Sequence, residues 1–167
     1  MIMHAPLKWI LWLLPLVWFT GCSAAPETNE VEKEVLATLI TDYQLEYHEK
    51  DDQGRVIDLR LEGDRFDNDA MEYVRKFKML IGLSLMRSSV TDAGMEKIQE
   101  LKRLQRINLV STAVTDLGLS YLEKMPSLQN VWLLETKTLT ARGIDSLKSA
   151  VPGINVHVMN EPNKSTK

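Results

Sequence analysis

Apolar residues recur along the chain at a step of 24 residues. Three series keep this step, namely Leu80, Leu104 and Leu128; Leu83, Ile107 and Val131; and Leu85, Leu109 and Leu133. Within each unit these residues make the pattern LxxLxL, which alternates as in a short strand with one buried face. A weaker unit with the same pattern occupies about residues 56–79. The sequence therefore predicts a fold built from stacked, nearly identical units.

A helix is predicted after each strand, because an apolar stripe follows the sequence Val-Thr-Asp. The stripe consists of Met95, Ile98 and Leu101 in one unit and of Leu119, Leu122 and Met125 in the next. Thr91 with Asp92, and Thr115 with Asp116, would provide N-cap oxygens to the amides of these helices. One unit cannot bury both its strand face and its helix stripe, so neighbouring units must stack to form a core.

A period of 20–29 residues with LxxLxL is the signature of leucine-rich repeats. The predicted fold class is α/β, a leucine-rich-repeat solenoid with a short, curved parallel sheet on the concave side and helices on the convex side. Residues 56–158 would form the repeat domain, with about four repeats plus a closing strand. The polar residues 159–167 would form a disordered tail.

The segment before the repeats has the pattern of a cap. Residues 31–55 are expected to form a helix followed by a hairpin, because apolar and polar residues alternate on both sides of Asp51–Gly54. The helix should cover the first repeat with one apolar face, formed by Val31, Val35, Leu36 and Leu39.

The first residues have the composition of a leader. Residues 1–21 combine one basic residue, Lys8, with an apolar run from Trp9 to Phe19, which is typical of a secretory signal peptide. The alternative, a transmembrane helix, needs about 20 apolar residues. Cys22 is the sole cysteine, so the chain can form no internal disulfide. Residues 22–30 would then form a lipidated tether.

Thr20-Gly21-Cys22 resembles the lipobox of bacterial lipoproteins, in which the cysteine is lipidated and becomes the mature N-terminus. Phe19 departs from the leucine that is usual in that motif, and an ordinary secreted protein with a free thiol is the alternative. The resemblance implies a protein exported and lipid-anchored to the bacterial cell envelope. Because Ser23 rather than Asp follows the cysteine, it favours the outer membrane or periplasm over the inner membrane.

The repeats themselves resemble those of a known group. The sequences VTDAGMEKIQEL and VTDLGLSYLEKM are similar to the TDxGLxxL-type leucine-rich repeats of many bacterial lipoproteins, notably from planctomycetes. The resemblance covers about Asp51–Val158 well and the preceding 20 residues loosely. It implies a solenoid and a general role in binding proteins, with no particular ligand.

Composition and motifs exclude several classes of function. The formal net charge of −3 argues against nucleic-acid binding, which requires a concentrated basic face. We find no catalytic constellation, phosphate-binding loop or metal-ligand spacing. The sequence thus predicts a monomeric protein that is not an enzyme and carries no cofactor and no metal.

Function is expected on the concave face, at the positions that flank the buried leucines. Strand alternation places an apolar group there with a polar rim, which is typical of a binding hot spot. The candidate binding residues are Met86, Asn108, Val110, Trp132, Leu134 and His157. Packing against the tail, or simple completion of the repeat, is the alternative for these residues. The predicted function is a membrane-anchored protein-interaction module, and the alternative is a structural envelope spacer without a specific ligand.

Overall fold

The computed structural model describes residues 27–135 and 138–158. The predicted signal peptide, Cys22 and the predicted tail at 159–167 lie outside the described residues. Helices α1 to α5 span Glu27–Thr41, Ala70–Val74, Asp92–Ile98, Asp116–Leu122 and Ala141–Ala150. Strands β1 to β6 span Tyr47–Lys50, Val56–Arg60, Gly82–Ser84, Arg106–Asn108, Asn130–Trp132 and Asn155–His157.

The six strands form one sheet in chain order. β1 and β2 pair in the antiparallel hairpin that the sequence predicts, and β2 to β6 pair in parallel. The register follows the 24-residue step, since Leu59 pairs with Leu83 and Leu83 with Ile107. The last pair, Val131 with Val156, is one residue longer. The chain is therefore an α/β repeat protein in which each of the strands β2 to β5 is followed by a short helix.

The core lies between the sheet and the helices. Every residue of the three 24-residue series and of both predicted helix stripes is buried. The buried residues form one continuous cluster that runs from Leu36 in α1 to Val151 after α5. This continuity is what stacked units require, because each unit completes the core of its neighbour.

The N-terminal cap differs in detail from its prediction. α1 begins at Glu27, inside the segment predicted as tether. Leu36 and Leu39 face the core, but the prediction for Val31 was wrong, since its side chain is 49% exposed. The inward position is taken by Glu32, whose carboxylate accepts the backbone N–H of Val56 at 3.4 Å. Burial raises the pKa of the Glu32 carboxyl, partly offset by this hydrogen bond.

The turn after each of the strands β2 to β5 contains one residue with a positive φ angle. These residues are Gly63, Arg87, Ser111 and Glu135, with φ of 98°, 53°, 55° and 55°. They occupy one repeat position, yet only the first unit has the glycine for which this conformation is easy. The backbone N–H groups of Arg87 and Ser111 donate to Val110 and Leu134 in the next unit, which holds the turn in this conformation.

The aspartates of the Val-Thr-Asp sequences join successive units. Asp92 accepts the backbone N–H of Thr115 at 2.8 Å with Oδ1 and the Thr115 hydroxyl at 2.6 Å with Oδ2. Asp116 binds Thr140 in the same way, at 2.9 and 2.6 Å. We call this series of contacts, together with the Asn68 contact described next, the Asp–Thr ladder.

Asn68 occupies the corresponding position one unit earlier. Its Oδ1 accepts the Thr91 N–H at 3.0 Å, and its Nδ2 donates to the Thr91 hydroxyl at 2.9 Å. The glycine of each unit leaves room for this side chain. A Cβ on Gly118 would lie 2.5 Å from Asp92 Oδ1, and one on Gly143 would lie 2.3 Å from Asp116 Oδ1.

The predicted N-caps are therefore only half correct. The hydroxyl of Thr115 accepts the N–H of Leu117, and that of Thr140 accepts the N–H of Gly143, both at 3.2 Å. Thr91 makes no such bond with its own helix. The prediction that Asp92 and Asp116 cap their own helices was wrong, because both carboxylates bind the threonine of the following unit.

Replacement of Asp92 by alanine tests the ladder. Asp92→Ala leaves the N–H and hydroxyl of Thr115 without their acceptors, so we expect the free energy of unfolding to fall by about 1–3 kcal/mol. Asp92→Asn is the matched control, because Asn68 already makes the same two contacts, and it should cost less than half as much. Chemical denaturation measures both values. Equal losses in the two variants would contradict the ladder.

The ladder also predicts a dependence on pH. The hydroxyl of Thr140, and then its backbone N–H, hold the pKa of the Asp116 carboxyl below its usual value of 3.8. The folded state therefore binds this proton less tightly than the unfolded state, and the stabilisation is complete above that pH and lost below it. We expect the difference in unfolding free energy between the wild type and Asp116→Asn to be constant from neutral pH down to about 5. It should shrink as the pH falls further. A difference that does not change with acidification would contradict this assignment.

Candidate functional site

The sheet has one face without helices, which we call the open face. Its side chains come from the strand positions that alternate with the buried leucines. One row contains Asp58, Gly82, Arg106, Asn130 and Asn155, and the next contains Arg60, Ser84, Asn108, Trp132 and His157. The first strands carry the charged residues, whereas the last strands carry neutral ones.

The predicted aromatic residue lies on this face, but it is not bare. The ring of Trp132 stacks on the imidazole of His157, with centroids 5.0 Å apart and planes inclined by 12°. Trp132 is half-buried and His157 is exposed. An offset stack of this kind stabilises both rings and covers part of the indole. The register that pairs Trp132 with His157 brings the two together across β5 and β6.

The apolar column is also more covered than expected. Met86, Val110 and Leu134 follow their strands at one repeat position, and all three are half-buried. The expectation of an exposed apolar cluster was therefore wrong in degree, because the protein itself covers part of each of these side chains. Asn108 uses its Oδ1 to accept the N–H of Val110 at 3.0 Å.

An ion pair crosses the charged half of the open face. Arg106 on β4 approaches Asp58 on β2, with 3.1 Å between its Nη2 and Oδ2 of the carboxylate. The pair passes over β3 at Gly82. A Cβ on Gly82 would lie 1.9 Å from Asp58 Oδ2 and 3.1 Å from Arg106 Nη2, so a side chain there would displace the aspartate. A glycine is therefore needed at position 82, because the side chains of Asp58 and Arg106 meet directly above it.

Two further arginines contact side chains near this ion pair. The guanidinium of Arg60 lies 4.5 Å from the centroid of the Tyr47 ring on β1, as in a cation–π contact. Arg87 Nη2 lies 3.5 Å from Glu62 Oε2. Each pairing is exposed to solvent and contributes little to stability by itself. Their effect is to orient the charged groups on the open face.

The open face contains a shallow depression of about 300 Å³ beside Gly82 and Ser84. Three of the six predicted binding residues line it, namely Met86, Asn108 and Trp132. Val110, Leu134 and His157 lie outside its wall. We did not predict Asp58, Arg60, Glu62, Gly82 or Arg106 as site residues, although all five line the depression.

A sequence signal for the missed residues does exist. Asp58 and Arg106 are separated by two repeat steps of 24 residues, with Gly82 midway between them. The two opposite charges occupy the same repeat position in units that are not adjacent, and the unit between them has a glycine there. Their side chains can come close above this glycine only if the three strands are in register. The repeat pattern places these three residues side by side on neighbouring strands, but it does not show that the two charged side chains meet.

Within the described part of the chain, no group of three or more His, Cys, Asp or Glu residues could hold a metal ion. Between residues 27 and 158, leaving out the two undescribed positions at 136 and 137, no helix has the length and apolar character needed to cross a membrane.

Comparisons with known proteins give a distant likeness. No protein-family model and no curated protein matches the sequence. Among solved structures, the chain is similar to the crystal structure of PEPR1-AtPEP1, in which PEPR1 is a leucine-rich-repeat receptor ectodomain. The identity is 14% and the TM-score 0.40, and the match covers 73% of this chain and 20% of that chain. The repeat architecture of this chain follows from its own 24-residue strand register.

Proposed function

We propose that this protein is a leucine-rich-repeat interaction module that binds a protein partner with its open face. The observation that carries the proposal is the position of Trp132. Its indole stands on the helix-free side of the sheet, half-covered by His157 and next to a depression with charged walls. Tryptophan and arginine with a polar rim are the residues that contribute most to binding energy in protein interfaces.

The size of the face sets the expected strength of binding. Six strands about 4.8 Å apart give a sheet about 25 Å wide, and its strands are only three to five residues long. Such a face buries less than the roughly 800 Å² per partner of a standard interface. Binding through it alone should be weak and transient.

We further propose that the protein is exported and anchored by lipid at Cys22 in a bacterial cell envelope. This proposal rests on the sequence of the leader and the lipobox-like Thr20-Gly21-Cys22. Confinement to a membrane raises the effective concentration of two partners held on the same surface, and it would offset a weak interface.

A structural role as an envelope spacer without a specific ligand is the second candidate. The half-burial of Met86, Val110 and Leu134 favours it, because these side chains are partly packed without any partner. The two functions differ in what the open face contacts in the cell. Crosslinking from that face therefore distinguishes them.

A third prediction concerns contacts of the open face. A photo-crosslinking amino acid at Asn108 should form an adduct with one defined protein in cells that express the chain natively. The combined change Trp132→Ser and Leu134→Ser should remove most of this adduct, since loss of a hot-spot side chain costs about 2 kcal/mol or more of binding free energy.

Leu117 provides the matched control, because its side chain is apolar, 57% exposed and located on α4, away from the sheet. Leu117→Ser should leave the adduct unchanged. Denaturation of each variant checks that the fold is retained. No adduct from Asn108, or equal adducts in the paired variant and in Leu117→Ser, would favour the spacer.

A fourth prediction concerns the anchor. Cys22→Ser should transfer the protein from the detergent phase to the aqueous phase in a detergent-partition assay. The physical reason is that each buried methylene of an acyl chain contributes about 0.8 kcal/mol to membrane binding, and serine carries no such chain. Equal partitioning of the two forms would show that Cys22 is not lipidated.

A further inference from the structure

The two edge strands of the sheet differ in how well they are protected from other chains. β1 carries the charged residues Glu49 and Lys50, and its pairing with β2 shifts register between them. Charged side chains and irregular pairing are the usual means by which an edge strand avoids pairing with another chain. β6, at the opposite edge, has the sequence Asn-Val-His and pairs regularly with β5. It contains no carboxylate, lysine, arginine or proline, so this edge is open to a further strand.

The backbone groups at the free side of β6 belong to Val156. The N–H of Asn155 donates to the carbonyl of Gln129 at 2.7 Å. The carbonyl of His157 accepts the N–H of Leu133 at 2.9 Å. Both residues therefore direct their backbone groups towards β5. Because successive residues of a strand direct these groups to opposite sides, the N–H and carbonyl of Val156 point away from the sheet.

Apolar side chains beside this edge are less covered than their counterparts in the preceding unit. Val156 on β6 and Ile144 on α5 are half-buried and belong to the border of the core. The corresponding residues one unit earlier, Val131 and Leu119, are fully buried, because the next unit covers them. Val158, directly after β6, is 45% exposed. Within the described chain, the last unit therefore lacks the cover that the unit before it has.

Two charges of opposite sign lie on α5 at the same end of the protein. Ser146 donates to Glu123 of α4, and Gly143 also faces that helix. The helical period places Asp145 and Lys148 on the side of α5 turned away from α4, one turn apart. Both side chains are exposed, and neither has an ion-pair partner among the described residues.

We propose that this end of the protein binds a second copy of the chain, with the two β6 strands antiparallel about a two-fold axis at Val156. Each Val156 donates its N–H to the carbonyl of the other, and Ile154 of one copy lies opposite Val158 of the other. The two α5 helices are antiparallel on the same side of the joined sheet, so Asp145 of each copy faces Lys148 of the other. A two-fold interface must be self-complementary, and an uncharged strand beside one acid and one base meets this condition.

The size of this end sets the strength of the dimer. The ten residues of α5 are about 15 Å long, and the sheet and helix layers together are roughly 20 Å deep, so each copy buries roughly 300 Å². A standard interface buries roughly 800 Å² per partner, so the dimer should be weak and form at high local concentration.

The dimer would replace the monomer that the sequence predicts, and it would enlarge the open face. The joined sheet has twice as many strands, and its helix-free side is about 50 Å wide. The dimer does not depend on the proposed function, because the open face stays free of the second copy.

Reversal of the two charges tests the arrangement. Energy transfer between two fluorescently labelled preparations of the full chain in detergent measures self-association over a range of concentrations. Lys148→Glu places an acid opposite Asp145, and Asp145→Lys places a base opposite Lys148. Each variant alone should therefore self-associate at least roughly tenfold more weakly than the wild type. A mixture of the two variants should associate as strongly as the wild type, because every contact again joins an acid to a base.

Two further variants test the strand edge. Val158→Lys adds a charge beside β6 and should weaken self-association roughly tenfold. Leu117→Lys is the matched control, since Leu117 is 57% exposed on α4, and it should associate like the wild type. Val156→Pro removes the outward N–H and should also weaken association, while proline is tolerated in an edge strand whose N–H points away from the sheet.

The outcomes decide between a second copy and other occupants of this edge. Recovery of association in the mixture supports the dimer and shows that both charge variants are folded. Absence of concentration-dependent energy transfer in the wild type, a mixture that does not recover, or equal effects of Val158→Lys and Leu117→Lys would overturn it. Removal of residues 160–167 should leave association unchanged. Stronger association of the shortened chain would show that these residues occupy the edge instead, and it would overturn the dimer as well.

Discussion

The fold depends on the bond between a carboxylate of one repeat and a threonine of the next. Burial of the apolar residues brings the units together, but it is non-directional and would tolerate small displacements. The two hydrogen bonds from Thr115 to Asp92 fix both the distance and the orientation of consecutive helices. Because the strands are also paired in register, each unit is bound to the next both through its strand and at the start of its helix.

The same constraint explains where the ladder begins and ends. It begins at Asn68, which makes the two contacts without a charge. It ends at Ala141, which follows Thr140 at the position where earlier units have Asp92 and Asp116. Alanine offers no acceptor to a further unit, and α5 is the last helix of the described chain. The ladder therefore stops where the stacked helices stop.

The residues on the open face can change without loss of the fold, because neither the Asp–Thr ladder nor the core lies on that face. Its charged half is organised by contacts between units, of which the Asp58–Arg106 pair over Gly82 is the longest in sequence. Its neutral half is organised by the stack of Trp132 on His157. The depression lies between the two halves, so a partner segment that crosses it would meet both kinds of surface.

The sequence by itself determined the repeat length, the strand register and the buried residues of the strands and helices within the repeats. Each of these follows from periodicity, which is a local property of the chain, and the burial of Leu83, Ile107 and Val131 was predicted correctly for this reason. The tertiary structure decided which groups meet between units. Asp92 could cap its own helix or bind Thr115, and only the stacking distance selects the second. Trp132 was correctly placed on the open face by alternation, but its cover by His157 and the ion pair over Gly82 depend on side chains from strands far apart in sequence. Such contacts follow from the distance between strands in space, which the pattern along one strand does not contain.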